Sequence, residues 1–364
     1  MSDRYQRRRE RLRRALAKAD LGSMLVTHSP NVTYLTGFTG SDSYLLIRDD
    51  AETLITDGRY TAQLAEECPG LDLHVRRPGE EMGKAVATVL RRSRLGRVGI
   101  EGDSMSVGLR ETILGQLPKV ELVTTSGLVE TLRAVKDRQE VEEIRRAIWC
   151  AERAFGVVRA SLRREQTEKE VADALEHQMR LFGARSGGFA AIVAVGARAA
   201  LPHATPGGQQ IGSGDFVLMD WGADCGLYKS DLTRVLVTGR IPPKLERLYG
   251  VVLRAQGKAI AAIRPGVAAA EVDRIARQII AEAGFGRYFG HGLGHGLGLE
   301  VHEAPRLAAS SRAVLKPGMV VTVEPGIYLP NWGGVRIEDD VLVTRNGHEV
   351  LTTVAKQWDQ IVVH

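Results

Sequence analysis

The sequence has few of the features that place a chain in a membrane or outside the cell. Its longest apolar run covers residues 189–195, far below the roughly 18–20 residues that cross a bilayer as a helix. The three cysteines, Cys68, Cys150 and Cys225, are too scattered for a zinc ribbon, a redox pair or a disulfide framework. No apolar stretch follows the arginine-rich start, which argues against a secretory signal. We therefore expect free thiols, a cytoplasmic location and no membrane partner.

Outside the first twenty residues, neither sign of charge is in excess. The chain has 49 Lys and Arg against 44 Asp and Glu, a net charge of +5. Eight basic and three acidic side chains within residues 1–20 account for this whole surplus. A nucleic-acid-binding protein instead carries its basic residues on a folded face. The sequence thus predicts a terminal helix with a solvated basic face and no nucleic-acid partner, with contact to a polyanion as the alternative.

The length and the element pattern predict two domains. At roughly 100–200 residues per domain, 364 residues correspond to about two. Residues 1–135 alternate strand-like and helix-like segments, which predicts an α/β domain. From residue 137 a long charged amphipathic helix begins, and a second helix follows the capping box Thr167-Glu-Lys-Glu170. The pattern of residues 136–364 predicts an α+β domain, an antiparallel sheet with helices on one face. Its clearest predicted strands are 216–220, 233–238, 320–324 and 335–343.

Four carboxylates in this second half lie within or beside apolar strand sequence. Asp220 ends one such run, and Asp231 precedes the next, so that a hairpin would bring the two carboxylates opposite each other. Glu324 and Glu338 belong to later strands. Burying a carboxylate costs several kcal/mol unless a cation or a donor offsets it. Four of them converging on one place would need roughly two divalent cations.

A glycine-rich histidine segment supplies a different kind of ligand. His291 and His295 have helical spacing, but the glycines between them favour a strand or a tight loop. His302 lies seven residues further on. Taken alone, these histidines fit metal binding or catalysis as well as ordinary hydrogen-bonded structure.

The order of the five residues Asp220, Asp231, His295, Glu324 and Glu338 resembles the ligand set of the pita-bread metallopeptidases, the family of methionine aminopeptidase, aminopeptidase P and prolidase. The surrounding sequences also resemble that family: Met-Asp220-Trp-Gly-Ala, Tyr-Lys-Ser-Asp231-Leu-Thr-Arg, His-Gly-Leu-Gly-His295, Val-Glu324-Pro-Gly-Ile-Tyr and Val-Arg-Ile-Glu338-Asp. In the first half, Asn31-Val-Thr-Tyr-Leu-Thr-Gly-Phe and Thr56-Asp-Gly-Arg-Tyr are similar to the N-terminal domain of the Xaa-Pro branch. The resemblance implies an α/β N-terminal domain followed by an α+β pita-bread catalytic domain.

The resemblance also implies a role for each ligand. Asp231 and Glu338 would bridge two metal ions, Asp220 would complete one ion, and His295 with Glu324 would complete the other. A mostly carboxylate site suits Mn²⁺, with Co²⁺ or Zn²⁺ as further options. Such a pair of ions can activate a water as hydroxide at neutral pH and polarise the scissile carbonyl.

Other residues correspond by resemblance to substrate-side and catalytic groups. His302 would contact the reacting peptide and assist proton transfer, and His203 would contact the substrate. His291 is implied as a further catalytic and substrate-binding group, typical of the Xaa-Pro branch. Glu324 would shuttle a proton while remaining a ligand, and Arg336 would orient the carboxylates and contact the substrate. Two further acids, Asp224 and Asp339, are expected to face solvent or to lie behind the ligands.

The resemblance therefore predicts a dinuclear-metal exopeptidase that hydrolyses Xaa-Pro bonds in peptides with proline in second position. The N-terminal domain and His291 argue against methionine aminopeptidase. The segment 329–334 favours Xaa-Pro aminopeptidase, which releases the N-terminal residue, and Xaa-Pro dipeptidase is the alternative. A metal-free creatinase-like hydrolase or a non-catalytic binding module would be expected to lose ligands, and all five are present. A homodimer is implied by the resemblance.

Overall fold

The computed structural model of the chain describes residues 2–239 and 241–363 and divides into two compact units that meet in sequence between Arg133 and Ala134. Across these described ranges, no helix is long and apolar enough to cross a membrane. Cys68, Cys150 and Cys225 are free and buried. Short 3₁₀ turns lie at Gly58–Tyr60, Gly196–Ala200, Ile211–Ser213, Gly286–Tyr288 and Trp358–Gln360.

The first unit is built on one mixed sheet. Its helices are α1 (Ser2–Lys18), α2 (Ser29–Thr36), α3 (Thr61–Glu67), α4 (Met82–Arg92), α5 (Val107–Gln116) and α6 (Leu128–Arg133). Its strands are β1 (Ser23–Val26), β2 (Tyr44–Arg48), β3 (Glu52–Asp57), β4 (Asp72–Arg76), β5 (Arg97–Glu101) and β6 (Glu121–Thr125). The strand order is β4-β3-β2-β1-β5-β6. Pairs β1–β2 and β2–β3 are antiparallel, whereas β3–β4, β1–β5 and β5–β6 are parallel.

Several basic side chains of helix α1 contact other elements of the first unit. The expectation of a solvated basic face is therefore wrong for these side chains. Arg8 is buried, donates to the Tyr34 backbone oxygen at 2.9 Å and lies 4.0 Å from the centre of the Tyr34 ring. Arg9 and Arg13 both pair with Glu52. Arg8, Arg9 and Arg13 therefore bind the rest of the first unit. The sequence did not reveal this because their partners lie far along the chain, on α2 and β3.

The second unit contains longer helices and several small antiparallel sheets. Its helices are α7 (Arg138–Ala160), α8 (Glu168–Leu181), α9 (Pro243–Ala262) and α10 (Ala269–Glu282). Its strands are β7 (Ser186–Gly187), β8 (Ile192–Val195), β9 (Phe216–Trp221), β10 (Ala223–Cys225), β11 (Tyr228–Lys229), β12 (Leu232–Val237), β13 (Gly294–Gly296), β14 (Glu303–Leu307), β15 (Val320–Val323), β16 (Gly326–Leu329), β17 (Gly333–Arg336), β18 (Asp339–Val343) and β19 (His348–Val350). They form the sheets β11-β10-β7, β12-β9-β8, β14-β13-β15-β18-β19 and β16-β17.

Capping boxes begin both α7 and α8. Asp137 accepts from the backbone of Glu140, whose side chain accepts from the backbone of Asp137. Thr167 and Glu170 form the same reciprocal pair before α8, as the sequence predicted. Each box satisfies two backbone N–H groups that a helix start otherwise leaves unpaired.

Apolar side chains cover both faces of strand β9 in the sheet β12-β9-β8. Val217 and Met219 of β9 belong to a hydrophobic cluster with residues of α7 and α8. Phe216 and Leu218, on the opposite face of the same strand, belong to a cluster with residues of α9 and α10. Because successive strand residues point to opposite faces, β9 is buried on both sides, which explains its continuous apolar sequence.

The predicted strand 335–343 is two strands in two different sheets. Strand β17 ends at Arg336, and β18 begins at Asp339. Between them, Glu338 donates its backbone N–H to the Thr233 oxygen at 3.2 Å. The apolar pattern continues through the change of sheet and therefore hides it. The break leaves Glu338 at the junction of three strands.

Candidate metal centre and active site

Five elements of the second unit carry the predicted ligands toward one place. Asp220 lies in β9, Asp231 directly precedes β12, His295 lies in β13, Glu324 directly follows β15, and Glu338 separates β17 from β18. One ligand atom each of Asp231, His295 and Glu338 lies within 4.8 Å of the other two. His295 Nε2 lies 3.3 Å from Glu324 Oε1 and 3.7 Å from Asp231 Oδ2.

The antiparallel pairing of β9 with β12 brings the two aspartates together. Thr233 of β12 lies opposite Asp220 of β9, and Leu232 lies opposite Trp221. Asp231 therefore leaves its strand beside Asp220, which agrees with the hairpin that the sequence predicted. Between the two strands the chain forms the short strands β10 and β11.

Glycines on both sides of His295 allow β13 to approach its neighbours closely. A Cβ on Gly294 would lie 2.1 Å from the Thr322 backbone oxygen, and one on Gly296 would lie 2.1 Å from the Ala304 backbone oxygen. His295 donates its backbone N–H to Thr322 Oγ1 at 3.0 Å. The histidine segment is thus a strand at the ligand, as the interleaved glycines predicted.

The tautomer of His295 suits metal binding. His295 Nδ1 lies 3.1 Å from the Gly296 backbone oxygen. Because a carbonyl oxygen can only accept, Nδ1 carries the proton. Nε2 is then the ring nitrogen that faces the carboxylates of Asp231 and Glu324. It donates to them when the ring carries a second proton, and it offers its lone pair to a cation when that proton is lost. A cation between these groups would stabilise that arrangement.

Arg336 joins Asp220 to Glu338 through Thr233. Its Nη2 donates to Asp220 Oδ2 at 2.5 Å, and its Nε donates to Thr233 Oγ1 at 3.0 Å. The Thr233 hydroxyl in turn donates to Glu338 Oε2 at 2.6 Å. Arg336 therefore contacts Asp220 directly and Glu338 through Thr233.

Burial and mutual repulsion shift the pKa values of the carboxylates. Burial raises the pKa of Asp220, although the charge of Arg336 opposes this rise. Burial, followed by the charges of nearby carboxylates, raises the pKa of Asp231 and of Glu338 well above their usual values. Burial also disfavours ionised Glu324, but the hydrogen bond and charge of His295 outweigh it and hold the pKa of Glu324 below its usual value.

The residues present fit divalent cations. Asp220 Oδ1 and Glu338 Oε1 are buried oxygen atoms without a hydrogen-bond partner within the described residues. A buried carboxylate oxygen without a donor is costly. Two of the four such oxygens among the described residues belong to predicted ligands, and the other two are Asp224 Oδ1 and Asp340 Oδ1. Four carboxylates and one imidazole form an oxygen-rich donor set, which suits hard ions such as Mn²⁺. Arg336 balances one of four negative charges, and divalent ions would balance the rest.

His291 lies at the end of a second hydrogen-bond chain from Arg336. Arg336 Nη1 donates to Tyr328 Oη at 2.9 Å, and Tyr328 Oη lies 2.9 Å from His291 Nε2. His291 Nδ1 lies 2.7 Å from the Gly292 backbone oxygen, so Nδ1 donates and Nε2 accepts from Tyr328. Burial lowers the pKa of His291 and raises that of Tyr328 to about 12. His291 is therefore neutral at pH 7.

His302 and His203 are the exposed histidines of the predicted set. The His302 ring lies edge-on to His295, with ring centres 4.3 Å apart. Partial burial, and then the charge of His295, lowers the pKa of His302. His203 follows Pro202, whose backbone oxygen lies 3.4 Å from Arg336 Nη1. Both imidazoles therefore lie at the rim of the carboxylate cluster.

Neither Asp224 nor Asp339 faces solvent, which corrects one of the two options that the sequence left open. Asp224 is buried and pairs with Arg185 at 2.7 Å and with Lys229 at 2.6 Å. Asp339 is buried and pairs with Arg234 at 2.7 Å. Both carboxylates thus form buried ion pairs instead of facing solvent.

Sequence reasoning missed several polar residues that contact the ligands or their neighbours in the chain. Thr233 and Thr322 each contact a ligand through their hydroxyls. Asp340 is fully buried and accepts from the Asp231 backbone N–H at 3.2 Å. Gln256 lies on the apolar stripe of α9. A polar residue at a buried position of an apolar strand or helix is a signal in each case, but it does not name the partner.

Comparison with known families identifies the chain. A family model described as Metallopeptidase family M24 matches residues 142–345. This range is more than half of the chain and contains the five predicted ligands. The chain belongs to metallopeptidase family M24. A second model, described as the Creatinase/Prolidase N-terminal domain, matches residues 8–135 of this M24 peptidase. The predicted fold, an N-terminal α/β domain followed by a pita-bread catalytic domain, is confirmed, and so is the prediction of a metallopeptidase.

Similar M24 peptidases include both Xaa-Pro dipeptidases and an aminopeptidase. A solved Xaa-Pro dipeptidase from Bacillus anthracis is 39% identical, with a TM-score of 0.94 over 98% of this chain and 99% of that chain. A curated Xaa-Pro dipeptidase from Pyrococcus horikoshii is 35% identical over 93% of this chain and 95% of its own length. A solved X-Pro aminopeptidase from Thermotoga maritima is 35% identical, with a TM-score of 0.86 over 94% of this chain and 99% of that chain. Two of these three relatives thus have the name of the dipeptidase that the sequence analysis gave as the alternative, and one has the name of the aminopeptidase that it favoured.

Proposed function

We propose that this M24 peptidase is an Xaa-Pro dipeptidase that uses two divalent metal ions. The convergence of Asp231, His295 and Glu338 on one buried point is the observation that carries the proposal. The dipeptidases among its relatives support the choice of substrate. Xaa-Pro aminopeptidase is the second candidate, supported by the Thermotoga maritima structure.

In this proposal Asp231 and Glu338 would hold both ions, Asp220 would complete one site, and His295 with Glu324 would complete the other. The bound ions would lower the pKa of a shared water and polarise the scissile carbonyl. Arg336 keeps Asp220 and Glu338 in position through its own contact with Asp220 and through Thr233. This carboxylate shell is therefore assembled before substrate arrives.

Proton transfer falls to Glu324 and the histidines. Glu324 has a lowered pKa and is ionised at neutral pH, so it can accept a proton from the attacking water. The prolyl nitrogen must be protonated before it leaves. We propose that His302, next to His295 at the exposed rim, accepts the proton of the attacking water and then donates it to the prolyl nitrogen. His203 and His291 would contact the substrate, His291 in a position fixed by Tyr328 and Arg336.

The identity of the metal, the assembly and the location are finer points of the proposal. Manganese is the ion favoured by the oxygen-rich donor set. A homodimer and a cytoplasmic location stay predictions, as does the expectation that the chain binds neither nucleic acid nor membranes. The substrates expected are peptides with proline in second position.

Hydrolysis of a matched pair of peptides tests the proposed substrate. An Ala-Pro dipeptide and an Ala-Pro-Ala tripeptide would be incubated with the Mn²⁺-loaded protein, with chelator-treated protein as the control. The dipeptidase proposal predicts rapid release of proline from the dipeptide and little cleavage of the tripeptide. Preferential cleavage of the tripeptide at its Ala-Pro bond would identify an Xaa-Pro aminopeptidase. Cleavage of neither by metal-loaded protein would overturn both candidates.

A further inference from the structure

A buried polar network contacts the backbone oxygens of Ile337 and Glu338. It consists of Gln256, Arg234, Asp339 and Lys356, and we call it the Gln256 network. Asp339 is its centre: one carboxylate oxygen accepts from Arg234 at 2.7 Å, and the other accepts from Gln256 at 3.0 Å and from Lys356. Arg234, Gln256 and Asp339 are buried.

Gln256 occupies a position on α9 where packing alone would favour an apolar residue. It is fully buried and follows Val252 by one helical turn, on the stripe that faces the core. Burying a primary amide is costly unless its donors and its acceptor are all used. The amide must therefore have partners in the core, and these partners indicate its role.

The orientation of the Gln256 amide follows from the chemistry of its neighbours. Lys356 Nζ lies 2.9 Å from Oε1, and an ammonium group can only donate, so the atom facing it is the amide oxygen. Nε2 then faces three acceptors: the Val323 backbone oxygen at 3.2 Å, the Ile337 backbone oxygen at 3.1 Å and Asp339. Its two N–H groups are shared among them.

The two backbone carbonyls that Gln256 contacts belong to the residues directly before two ligands. Val323 precedes Glu324, and Ile337 precedes Glu338. One amide nitrogen thus joins the end of β15 to the junction between β17 and β18. Arg234 adds to this joint by donating to the Glu338 backbone oxygen at 2.5 Å and to the Thr233 backbone oxygen at 2.9 Å.

We propose that Gln256 is a positioning residue that sets the separation between Glu324 and Glu338, and with it the affinity of the site for its metal ions. This inference rests on the proposed two-metal function. Gln256 touches neither carboxylate, so it acts through the backbone on the far side of each ligand. Metal–ligand distances in protein sites are expected to lie within about 0.2 Å of their usual values. Loss of a group that orients the ligands typically weakens metal binding about 10- to 100-fold.

Substitution Gln256→Met tests the proposal, because methionine has a similar length and lacks both donors. Val252→Ala is the matched control: it removes buried packing one turn earlier on the same face of α9 and leaves the carbonyl contacts in place. Mn²⁺ binding to the metal-free full chain would be titrated calorimetrically, and the melting temperature of the metal-free protein would be measured alongside. We expect both variants to melt at a lower temperature, and Gln256→Met alone to bind Mn²⁺ about 10- to 100-fold more weakly.

Lys356→Met provides a second test in case Gln256→Met does not fold. It leaves the amide donors present and removes the group that orients Oε1, so we expect weaker Mn²⁺ binding with a smaller change than in Gln256→Met. Activity at saturating Mn²⁺ should recover in both variants, since the ligands themselves are intact. Wild-type affinity for Mn²⁺ in a folded Gln256→Met or Lys356→Met protein would overturn the inference alone. A wild-type protein that binds no metal would overturn the proposed function and the inference together.

Discussion

Single side chains with two hydrogen-bond partners connect the carboxylates of this site. Thr233 is the clearest case: its hydroxyl accepts from Arg336 at 3.0 Å and donates to Glu338 at 2.6 Å. Arg336 in turn contacts Asp220 and Tyr328. A threonine between two charged groups uses one hydroxyl as both acceptor and donor. The positions of Asp220 and Glu338 are thereby coupled without direct contact between them.

Removal of the His302 imidazole should lower turnover without removing metal. The His302 ring packs against His295 at the exposed rim, and loss of a general acid–base group typically costs about 10²- to 10⁴-fold in rate. We expect His302→Ala to lose kcat in this range while its Mn²⁺ content, measured by elemental analysis, stays that of the wild type. His177→Ala, at an exposed histidine on α8, is the control and should leave both values unchanged. Loss of metal from His302→Ala would mean that His302 is a ligand.

Long helices and buried strands could be predicted from the sequence because their signals are local. The capping box of α8, the periodic apolar stripe of α9 and the apolar run of β9 each lie within one element. The five ligands could be proposed from the sequence because each stands in a distinctive sequence context.

Features that depend on contacts between distant segments could not be predicted in this way. The division of residues 335–343 between two sheets depends on pairing with β15 and β16. The partners of Gln256 come from three other segments, and burial of Arg8 depends on Tyr34. A polar residue in an apolar pattern indicates that it has a hydrogen-bond partner, but only the folded structure shows which residue that partner is.

Strand β13 should tolerate no side chain at Gly294. A Cβ there would lie 2.1 Å from the Thr322 backbone oxygen, so β13 would have to move away from β15 and take His295 with it. We expect Gly294→Ala to weaken Mn²⁺ binding at least about tenfold and to lower the melting temperature, as measured by calorimetric titration and thermal unfolding. A Gly294→Ala protein with wild-type metal affinity would show that His295 does not depend on this close approach.

Gly257→Ala is the matched glycine control. Gly257 lies within α9, and nothing lies within 4 Å of the position that its Cβ would take. Alanine inside a helix is typically more stable than glycine by about 0.5–1 kcal/mol. This variant should therefore gain stability in chemical denaturation and keep its affinity for Mn²⁺.

At the scale of the whole molecule, the carboxylate cluster couples folding of the catalytic unit to pH and to metal. Asp231 and Glu338 have pKa values well above their usual range in the metal-free protein. Between about pH 4, the usual pKa of such groups, and those raised values, the folded chain binds more protons than the unfolded chain. Their contribution to stability is therefore present below about pH 4 and is lost as the pH rises through the raised pKa values.

Divalent ions should reverse this trend, because they replace the protons that the carboxylates lose. We expect the rise in melting temperature on addition of Mn²⁺ to be larger at about pH 8 than at about pH 5.5, with protons released on binding. Thermal unfolding with and without Mn²⁺ at the two pH values measures the difference. An equal rise at both pH values, or a larger rise at the acidic one, would contradict the assigned direction of the pKa shifts.

Titration of activity with metal tests most directly whether these five residues form a two-metal peptidase site. Metal-free protein would receive Mn²⁺ in steps while release of proline from an Ala-Pro dipeptide is followed, with Glu338→Gln as the variant that lacks one proposed bridging carboxylate. We expect no hydrolysis without metal, activity that saturates near two ions per chain, and loss of activity in Glu338→Gln. Full hydrolysis by the metal-free protein, or full activity of Glu338→Gln, would show that the five residues do not form such a site.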